Sequence, residues 1–178
     1  VGEVLESDSN DFKPGDDVLL TGWSVGERHW GGLTQKARLK SEWLIPLPEG
    51  LSGLRAMAIG SAGLTAMLCV MALEAQGVLP ADGPVLVTGA SGGVGCLAVS
   101  LLSRLGYSVI ASSGKSDATH WLRDRGAEQV LSREDVVCRD DRPLQTARWA
   151  GAIDTVGGVT LASVIRQTQP HGCVTACG

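Results

Sequence analysis

Aromatic and charged residues are scarce in this sequence of 178 residues. It has one Phe, one Tyr and five Trp, and charged residues make up 19% of the chain, with a net charge of -4. No run of like charges stands out. Proteins that bind nucleic acids or membrane surfaces usually carry basic patches, so we expect no nucleic-acid partner.

Cysteine patterns that bind zinc or form disulfide frameworks are also missing. The sequence has no C-x-x-C, and its five cysteines are scattered through apolar segments: Cys69, Cys96, Cys138, Cys173 and Cys177. This usage is typical of buried thiols in a reducing compartment, so we expect a cytoplasmic protein without a metal site. The start, Val1 to Val4, has neither Met nor the basic and apolar regions of a signal peptide, and it predicts a fragment.

The longest apolar run, 56–75, is too broken to indicate a membrane span. It contains Gly60 and Gly63 and has Glu74 near its end, whereas a spanning helix needs about 20 predominantly apolar residues. We therefore predict a buried helix and no membrane partner. Three methionines at near-helical spacing are expected in the core for the same reason: Met57, Met67 and Met71.

The most informative segment is VLVTGASGGVG, from Val85 to Gly95. A β-type run leads into a glycine-rich turn, and a helix-forming run follows at once from Cys96 to Leu105. The first turn of a helix has unpaired N–H groups at the positive end of its dipole, and glycine lets a phosphate approach the backbone. The segment predicts a dinucleotide-binding turn, although its spacing differs from G-x-G-x-x-G. The alternative is a glycine-rich turn that binds nothing.

Helical and strand patterns alternate from about residue 55 onward. Predicted strands are 85–88, 107–112, 129–131, 150–156 and 172–176, and the longest predicted helices are 64–76, 92–105 and 159–168. This alternation predicts an α/β fold with a doubly wound parallel sheet of the Rossmann type. Residues 1–51 instead carry β-type runs, at 1–5, 17–21 and 33–39.

The end of the second predicted strand decides which dinucleotide is expected. It falls about 20 residues after the first glycine of the turn, at Ser112-Ser113-Gly114-Lys115. NAD enzymes usually carry Asp or Glu there for the ribose hydroxyls. Hydroxyl groups and an ammonium group would instead bind a 2′-phosphate, so Ser113 and Lys115 favour NADP(H) over NAD(H). A solvated loop is the alternative interpretation of these two residues.

Three stretches resemble the medium-chain dehydrogenase/reductase superfamily: 85–95, AGLTAM at 62–67 and FKPGDDV at 12–18. Within it, the chain is similar to the acrylyl-CoA reductase branch of the quinone-oxidoreductase-like proteins, through 18–23, 26–32, 65–74 and 149–157. The resemblance implies that residues 1–54 are part of a GroES-like, β-rich catalytic domain. It implies that residues 55–178 are part of a Rossmann NADP(H)-binding domain, that both ends of the family's chain are missing, and that the full-length protein is a homodimer.

The resemblance also implies a cofactor site. Thr65 would lie near the nicotinamide, and the segment after Ala90 would hold the pyrophosphate. The residues after the second strand would meet the adenosine phosphate. The implied NADP(H)-binding residues are Thr65, Ser91, Gly92, Gly93, Val94, Gly95, Cys96, Ser113, Gly114 and Lys115.

Two positions depart from the family pattern. Cys96 stands where relatives carry Ser. Near Gln129 relatives carry Arg, and this second departure would weaken a polar cofactor contact. The structural zinc loop of four closely spaced cysteines does not occur in the sequence, so a zinc-independent enzyme is implied. Its small-molecule substrate would be an acyl-CoA thioester or a quinone.

The implied activity is reduction of the C=C bond of an α,β-unsaturated thioester, from acrylyl-CoA to propionyl-CoA, with NADPH as hydride donor. The alternatives are an NADPH-dependent quinone or enone reductase and a non-catalytic dinucleotide-binding sensor. No residue is identified as catalytic. Glu27 and His29 lie in a Gly- and Trp-rich loop, where functional side chains often occur, but packing is the favoured interpretation of both. Asp154 is expected to bond a loop N–H group rather than take part in chemistry.

Overall fold

The computed structural model describes residues 1–140 and 142–178, which form two units, Val1–Ser61 and Ala62–Gly178. The strands are β1 (Gly2–Glu3), β2 (Asp17–Leu20), β3 (Leu44–Pro46), β4 (Val85–Val87), β5 (Val109–Ser112), β6 (Gln129–Leu131), β7 (Trp149–Asp154) and β8 (Thr168–Ala176). The helices are α1 (Gly53–Ala75), α2 (Gly93–Arg104), α3 (Thr119–Arg123) and α4 (Gly158–Arg166). The assignment of 1–54 and 55–178 to two named domains stays a prediction.

The first unit contains a small antiparallel sheet in the order β1-β2-β3. Val18 in the central strand pairs with Gly2 on one side and Pro46 on the other, and it is buried. The turn before β2 forms because the backbone N–H of Lys13 donates to the Asp16 carboxylate at 2.9 Å.

One strand prediction for the first unit is wrong. The segment 33–39 is not a strand, and its residues are exposed up to Leu39, which is half-buried. A strand needs a buried face or a paired neighbour to offset the loss of chain entropy. This segment instead forms a local turn, in which the Thr34 hydroxyl donates to the carbonyl of Lys36 at 3.0 Å.

The second unit contains a five-stranded parallel sheet in the order β6-β5-β4-β7-β8. Val85 in the central strand β4 pairs with Val109 of β5 and with Gly151 of β7. The chain therefore adds β5 and β6 on one side of β4, crosses back, and adds β7 and β8 on the other side. This order confirms the predicted Rossmann-type fold and places a topological switch point between β4 and β7, where ligands bind in such sheets.

Alternating residues of β4 reach two separate cores. Val85 and Val87 belong to a cluster that includes residues of α1 and α2, whereas Leu86 belongs to a second cluster with Trp149 and with Val164 of α4. Successive side chains of a strand point to opposite faces of the sheet. Helices therefore cover both faces, as a doubly wound sheet requires.

The helix predicted as buried is buried along one stripe only. Gly60 has a φ of 49° and interrupts α1. The buried residues beyond it are Gly63, Ala66, Cys69, Val70 and Leu73. The opposite side is apolar but exposed, and the prediction that Met57, Met67 and Met71 lie in the core is wrong, because they are 41–63% exposed. A helix on one face of a sheet buries only the stripe that faces the strands.

By length and composition, α1 could also cross a membrane, since its mean hydropathy reaches 1.9. Core helices of soluble proteins meet the same criterion. The break at Gly60 leaves an uninterrupted helix over 61–75, which is shorter than the about 20 residues of a spanning helix.

The prediction of uniformly buried thiols is wrong. Cys69 is buried, Cys96, Cys138 and Cys173 are half-buried, and Cys177 is exposed. Each cysteine lies in or beside an apolar segment, but several of these segments form the outer strand or the ends of elements, where one side faces solvent.

Candidate functional site

The glycine-rich turn lies between β4 and α2, at the switch point of the sheet. Gly89 has a φ of 57°, a conformation that favours glycine. The N–H of Gly92 donates to the carbonyl of Gly89 at 2.9 Å and closes the turn. A Cβ atom on Gly95 would overlap that same carbonyl oxygen and the Cα of Ala90. The turn and the first turn of α2 are thus in backbone contact, which only glycine permits.

The start of α2 is suited to bind an anion. Gly92 and Gly93 are exposed, Ser91, Val94 and Cys96 are half-buried, and the first helical turn contains no acidic residue. The amides of the first helical residues have no acceptor within a helix. An exposed, glycine-lined backbone at the positive end of a 12-residue helix fits the pyrophosphate of a dinucleotide.

A buried hydrogen-bond cluster fixes the strand ends beneath this turn. The Thr88 hydroxyl donates to Oδ1 of Asp154 at 2.6 Å, and the N–H of Gly157 donates to Oδ2 at 2.7 Å. The hydroxyl of Thr155 donates to the Thr88 carbonyl at 2.9 Å. A Cβ on Gly89 would overlap that hydroxyl. Asp154 thus bonds a loop N–H group, as expected, and links the ends of β4 and β7.

The residues after β5 face the same turn. The hydroxyl of Ser113 donates to Oγ of Ser91 at 2.9 Å and accepts from the N–H of Lys115 at 3.0 Å. Ser113 is buried, whereas Gly114 and Lys115 are exposed. The structure therefore brings together the residues that the sequence predicts for the pyrophosphate and for the 2′-phosphate.

Arg133 is a basic residue of this site that sequence reasoning missed. A Cβ on Gly114 would lie 3.2 Å from a terminal guanidinium nitrogen of Arg133. The register explains the approach, because Ser112 of β5 pairs with Leu131 of β6, and Gly114 and Arg133 both follow two residues later. The signal available in the sequence was an Arg placed just after the third predicted strand.

A shallow cavity of about 260 Å³ opens beside these residues. It is lined by Ser91, Lys115, Asp117, Ala118 and Trp121. The guanidinium of Arg125 lies over the Trp121 ring, 3.6 Å from its centroid. A flat aromatic ring and a cationic group at one opening suit a nucleotide base and its phosphate.

The start of the second part of α1 lies next to α2. A Cβ on Gly93 would meet Cβ of Ala62 at 3.4 Å, an ordinary contact distance. Thr65 follows one helical turn after Ala62 and is half-buried. The structure thus places the helix that carries Thr65 beside the glycine-rich turn.

Two rings of the Gly- and Trp-rich loop of the first unit, those of Trp23 and His29, lie against Trp43, whereas Trp30 of the same loop is exposed. The Trp23 and Trp43 rings stack with centroids 6.3 Å apart, and the His29 ring lies 4.7 Å from that of Trp43. These contacts agree with the packing interpretation of His29. Among residues 1–140 and 142–178, no group of three or more His, Cys, Asp or Glu side chains is placed to hold a metal ion.

The Cys96 and Gln129 positions also have defined surroundings. The Cys96 thiol donates to the carbonyl of Gly93 at 3.3 Å, so it stays within the first turn of α2. Gln129 is exposed at the start of β6 and pairs with Ile110. Arg133, two residues after the end of β6, lies beside Gly114, which follows β5.

Comparison with known proteins gives a consistent family. The model of the zinc-binding dehydrogenase family matches residues 93–178. The chain is 54% identical to the probable acrylyl-CoA reductase AcuI of Escherichia coli (strain K12) over 177 residues, which are 99% of this chain and 54% of that protein. It is 45% identical to the putative quinone oxidoreductase YhfP of Bacillus subtilis (strain 168), over 99% of this chain and 54% of that protein.

Solved structures agree with this. The yhdH oxidoreductase from Salmonella enterica in complex with NADP superposes with a TM-score of 0.95 at 55% identity, over 99% of this chain and 54% of that one. Bacillus subtilis yhfP with NAD bound gives a TM-score of 0.95 at 44% identity, over 98% of this chain and 53% of that one. The chain spans about half the length of the relatives it matches.

Proposed function

Because the chain belongs to the medium-chain dehydrogenase/reductase superfamily, we propose that the protein is an NADPH-dependent reductase of the C=C bond in α,β-unsaturated thioesters. The substrate proposed is acrylyl-CoA, which would be converted to propionyl-CoA. The observation that carries the cofactor part is the group of Ser113, Lys115 and Arg133 beside the glycine-rich turn. The similarity to AcuI supports the substrate.

Each part of the site has a proposed role in holding NADPH. The backbone N–H groups at the start of α2, from Gly93 to Gly95, would bind the pyrophosphate. Ser113, Lys115 and Arg133 would bind the 2′-phosphate, because a hydroxyl and two cationic groups complement a phosphate dianion. Thr65 would lie near the nicotinamide, one helical turn beyond the contact of α1 with α2.

Bound NADPH would supply the hydride that adds to the β carbon of the thioester. The residues of this chain would position the cofactor. The cluster of Thr88, Asp154 and Thr155 fixes the glycine-rich turn, and this turn would bind the cofactor phosphates. Holding reactants in one geometry lowers the barrier through a smaller loss of entropy at the reaction step. We assign no proton donor among the described residues.

The test uses the full-length protein that contains this chain. Oxidation of NADPH and NADH is followed at 340 nm with acrylyl-CoA and with a simple benzoquinone as acceptors. We expect rapid turnover of acrylyl-CoA with NADPH and little with NADH. Preference for NADH would contradict the assignment of the 2′-phosphate site, and NADPH binding without turnover of either acceptor would favour a dinucleotide-binding sensor.

A second candidate function is reduction of quinones or small enones on the same scaffold. The similarity to YhfP, which is described as a putative quinone oxidoreductase, favours it. The same assay separates the two functions. For a quinone reductase, kcat/KM would be higher with benzoquinone than with acrylyl-CoA. Since YhfP has been crystallised with NAD, the NADH arm is measured for both acceptors.

We further propose that the full-length enzyme is a zinc-independent cytoplasmic homodimer. Zinc independence predicts that activity survives dialysis against a chelator and that metal analysis finds less than one zinc per subunit. Light scattering coupled to size exclusion would give twice the subunit mass for a homodimer. Cell fractionation would recover the protein with the soluble cytoplasmic fraction.

A further inference from the structure

The segment that follows β6 makes a tight turn that carries Arg133. The backbone N–H groups of Val136 and Val137 both donate to the Arg133 carbonyl at 3.2 Å. The guanidinium group of Arg133 lies beside Gly114, on the neighbouring strand end. An arginine side chain has several rotatable bonds and loses much entropy when it is held in one place. The backbone beneath it therefore decides how well Arg133 is directed toward the cofactor site.

The sheet fixes the beginning of this turn. Leu131, the last residue of β6, pairs with Ser112 of β5. Its carbonyl accepts from the N–H of Ser113 at 3.1 Å. The Ser112 hydroxyl donates to the carbonyl of Ser132 at 3.4 Å. The chain therefore enters the turn from a position that the register of β5 and β6 sets.

A buried amide fixes the end of the turn. Gln167 follows α4 and is buried, and its Nε2 donates to the carbonyls of Val136 at 2.7 Å and Ser163 at 3.0 Å. The Arg148 guanidinium donates to the Asp135 carbonyl at 3.0 Å and to Oε1 of Gln167 at 2.9 Å. Both ends of the turn are thus anchored, and only the residues between the anchors can change direction.

Between these anchors, Ser132 and Asp135 hold each other. The N–H of Ser132 donates to Oδ2 of Asp135 at 3.0 Å, and the N–H of Asp135 donates to Oγ of Ser132 at 3.3 Å. The two bonds close a loop around Arg133 and Glu134. Hydrogen bonding by Ser132, and then the Arg148 guanidinium, lower the pKa of Asp135. The Asp135 side chain is therefore an ionised acceptor at neutral pH.

We propose that Asp135 is a positioning residue for NADPH, which acts by holding Ser132 so that Arg133 is directed at the 2′-phosphate. The role depends on the proposed function, in which Arg133 binds that phosphate. NADH lacks the 2′-phosphate, so a misdirected Arg133 weakens the binding of NADPH and leaves that of NADH unchanged. A role of Asp135 in stability alone would change both affinities together.

The test measures cofactor binding by the full-length protein. Fluorescence titration gives the Kd for NADPH and for NADH, and the ratio of the NADH Kd to the NADPH Kd is the selectivity. Asp135→Ala removes the acceptor of the Ser132 N–H, and we expect the selectivity to fall roughly fivefold or more. Asp135→Asn removes the same charge but keeps an oxygen acceptor, as Asn does in turns, so its selectivity should stay within about twofold of the unmodified protein.

This pair of variants separates the hydrogen bond from the charge. Removal of a negative charge near a phosphate would by itself strengthen NADPH binding, which is opposite to the effect expected of Asp135→Ala. Glu134→Ala is a further control, because it removes a carboxylate from the same turn and leaves both bonds between Ser132 and Asp135 in place. It should not lower the selectivity.

A double variant tests whether Asp135 acts through Arg133. If it does, Arg133→Gln combined with Asp135→Ala has the same selectivity as Arg133→Gln alone, because residues that act on one contact are not additive.

Three results would overturn the positioning role while Arg133→Gln still lowers the selectivity. These are an unchanged selectivity in Asp135→Ala, an equal loss in Asp135→Asn, and losses that add in the double variant. If Arg133→Gln itself left the selectivity unchanged, the assignment of Arg133 to the 2′-phosphate would be wrong, and the positioning role would fail with it.

Discussion

The hydroxyl of Thr88 donates a 2.6 Å hydrogen bond to Oδ1 of Asp154, and both residues are fully buried. The same hydroxyl accepts from the N–H of Thr155 at 3.1 Å. One oxygen atom therefore joins the end of β4 to the end of β7. Because the glycine-rich turn begins at the next residue after Thr88, this bond sets where the turn starts.

Thr88→Val keeps the shape of the side chain and removes both bonds. A carboxyl and an amide then lose a partner in the interior, and we expect the free energy of unfolding to fall by about 2–3 kcal/mol. Denaturant unfolding of the full-length protein measures this, and the Kd for NADPH should rise as the turn loses its anchor. Thr175→Val is the control, because its hydroxyl makes one 3.3 Å bond at the neighbouring strand. If Thr175→Val lowered the free energy of unfolding by as much as Thr88→Val, the Thr88–Asp154 hydrogen bond would contribute no more than an ordinary one.

The strands and the glycine-rich turn could be predicted because local patterns specify them. Val85 and Leu86 are successive apolar residues and face opposite sides of the sheet, as is typical of a central strand. The glycines that follow them are typical of a tight turn. The position of Arg133 could not be predicted in the same way. Its approach to Gly114 depends on the register of β6 against β5, which the sequence alone leaves open.

The errors in α1 have a similar origin. Periodicity indicated a helix, but it could not show that only one stripe of an apolar helix would be buried. Met67 and Met71 lie on the opposite side and are exposed.

Gly95→Ala tests the close approach of α2 to the glycine-rich turn. The new methyl group would overlap the carbonyl of Gly89, so the turn or the helix must shift. We expect a stability loss of about 1–3 kcal/mol and a NADPH Kd raised at least tenfold, measured by fluorescence titration of the folded variant. Gly32→Ala is the control, since a Cβ there meets no atom within 4 Å. Unchanged NADPH affinity in a folded Gly95→Ala protein would contradict the assigned site.

Lys115→Gln and Arg133→Gln test the discrimination between NADPH and NADH. Each removes one cationic partner of the proposed 2′-phosphate, and a charge-assisted hydrogen bond contributes about 1.5–3 kcal/mol. We expect the KM for NADPH to rise roughly tenfold or more in each variant, with the KM for NADH nearly unchanged. Steady-state kinetics with both cofactors measures the ratio.

The control for these variants is Arg104→Gln. Arg104 is exposed in the last turn of α2, at the end opposite to the glycine-rich turn. The Arg104→Gln substitution removes one positive charge from the protein, as the other two do, but it lies outside the proposed site. If all three variants raised the KM for NADPH equally, the effect would be one of net charge, and the assignment of a specific role to Lys115 and Arg133 would be wrong.

Tyr107→Phe tests a buried hydrogen bond of the second unit. The Tyr107 hydroxyl donates to the Val78 carbonyl at 2.9 Å, and Phe leaves that buried oxygen unpaired, so we expect a loss of about 1–2 kcal/mol at pH 8. Burial first, then the Glu74 and Asp82 carboxylates, raise the pKa of Tyr107. A raised pKa stabilises the fold below the unfolded value, near 10, and this contribution is lost as the pH rises. The difference in free energy of unfolding between the unmodified protein and Tyr107→Phe, measured by denaturant unfolding, should therefore become smaller above pH 10. Ser108→Ala, which removes an exposed hydroxyl, is the control. It should cause a small loss of stability that does not become smaller above pH 10.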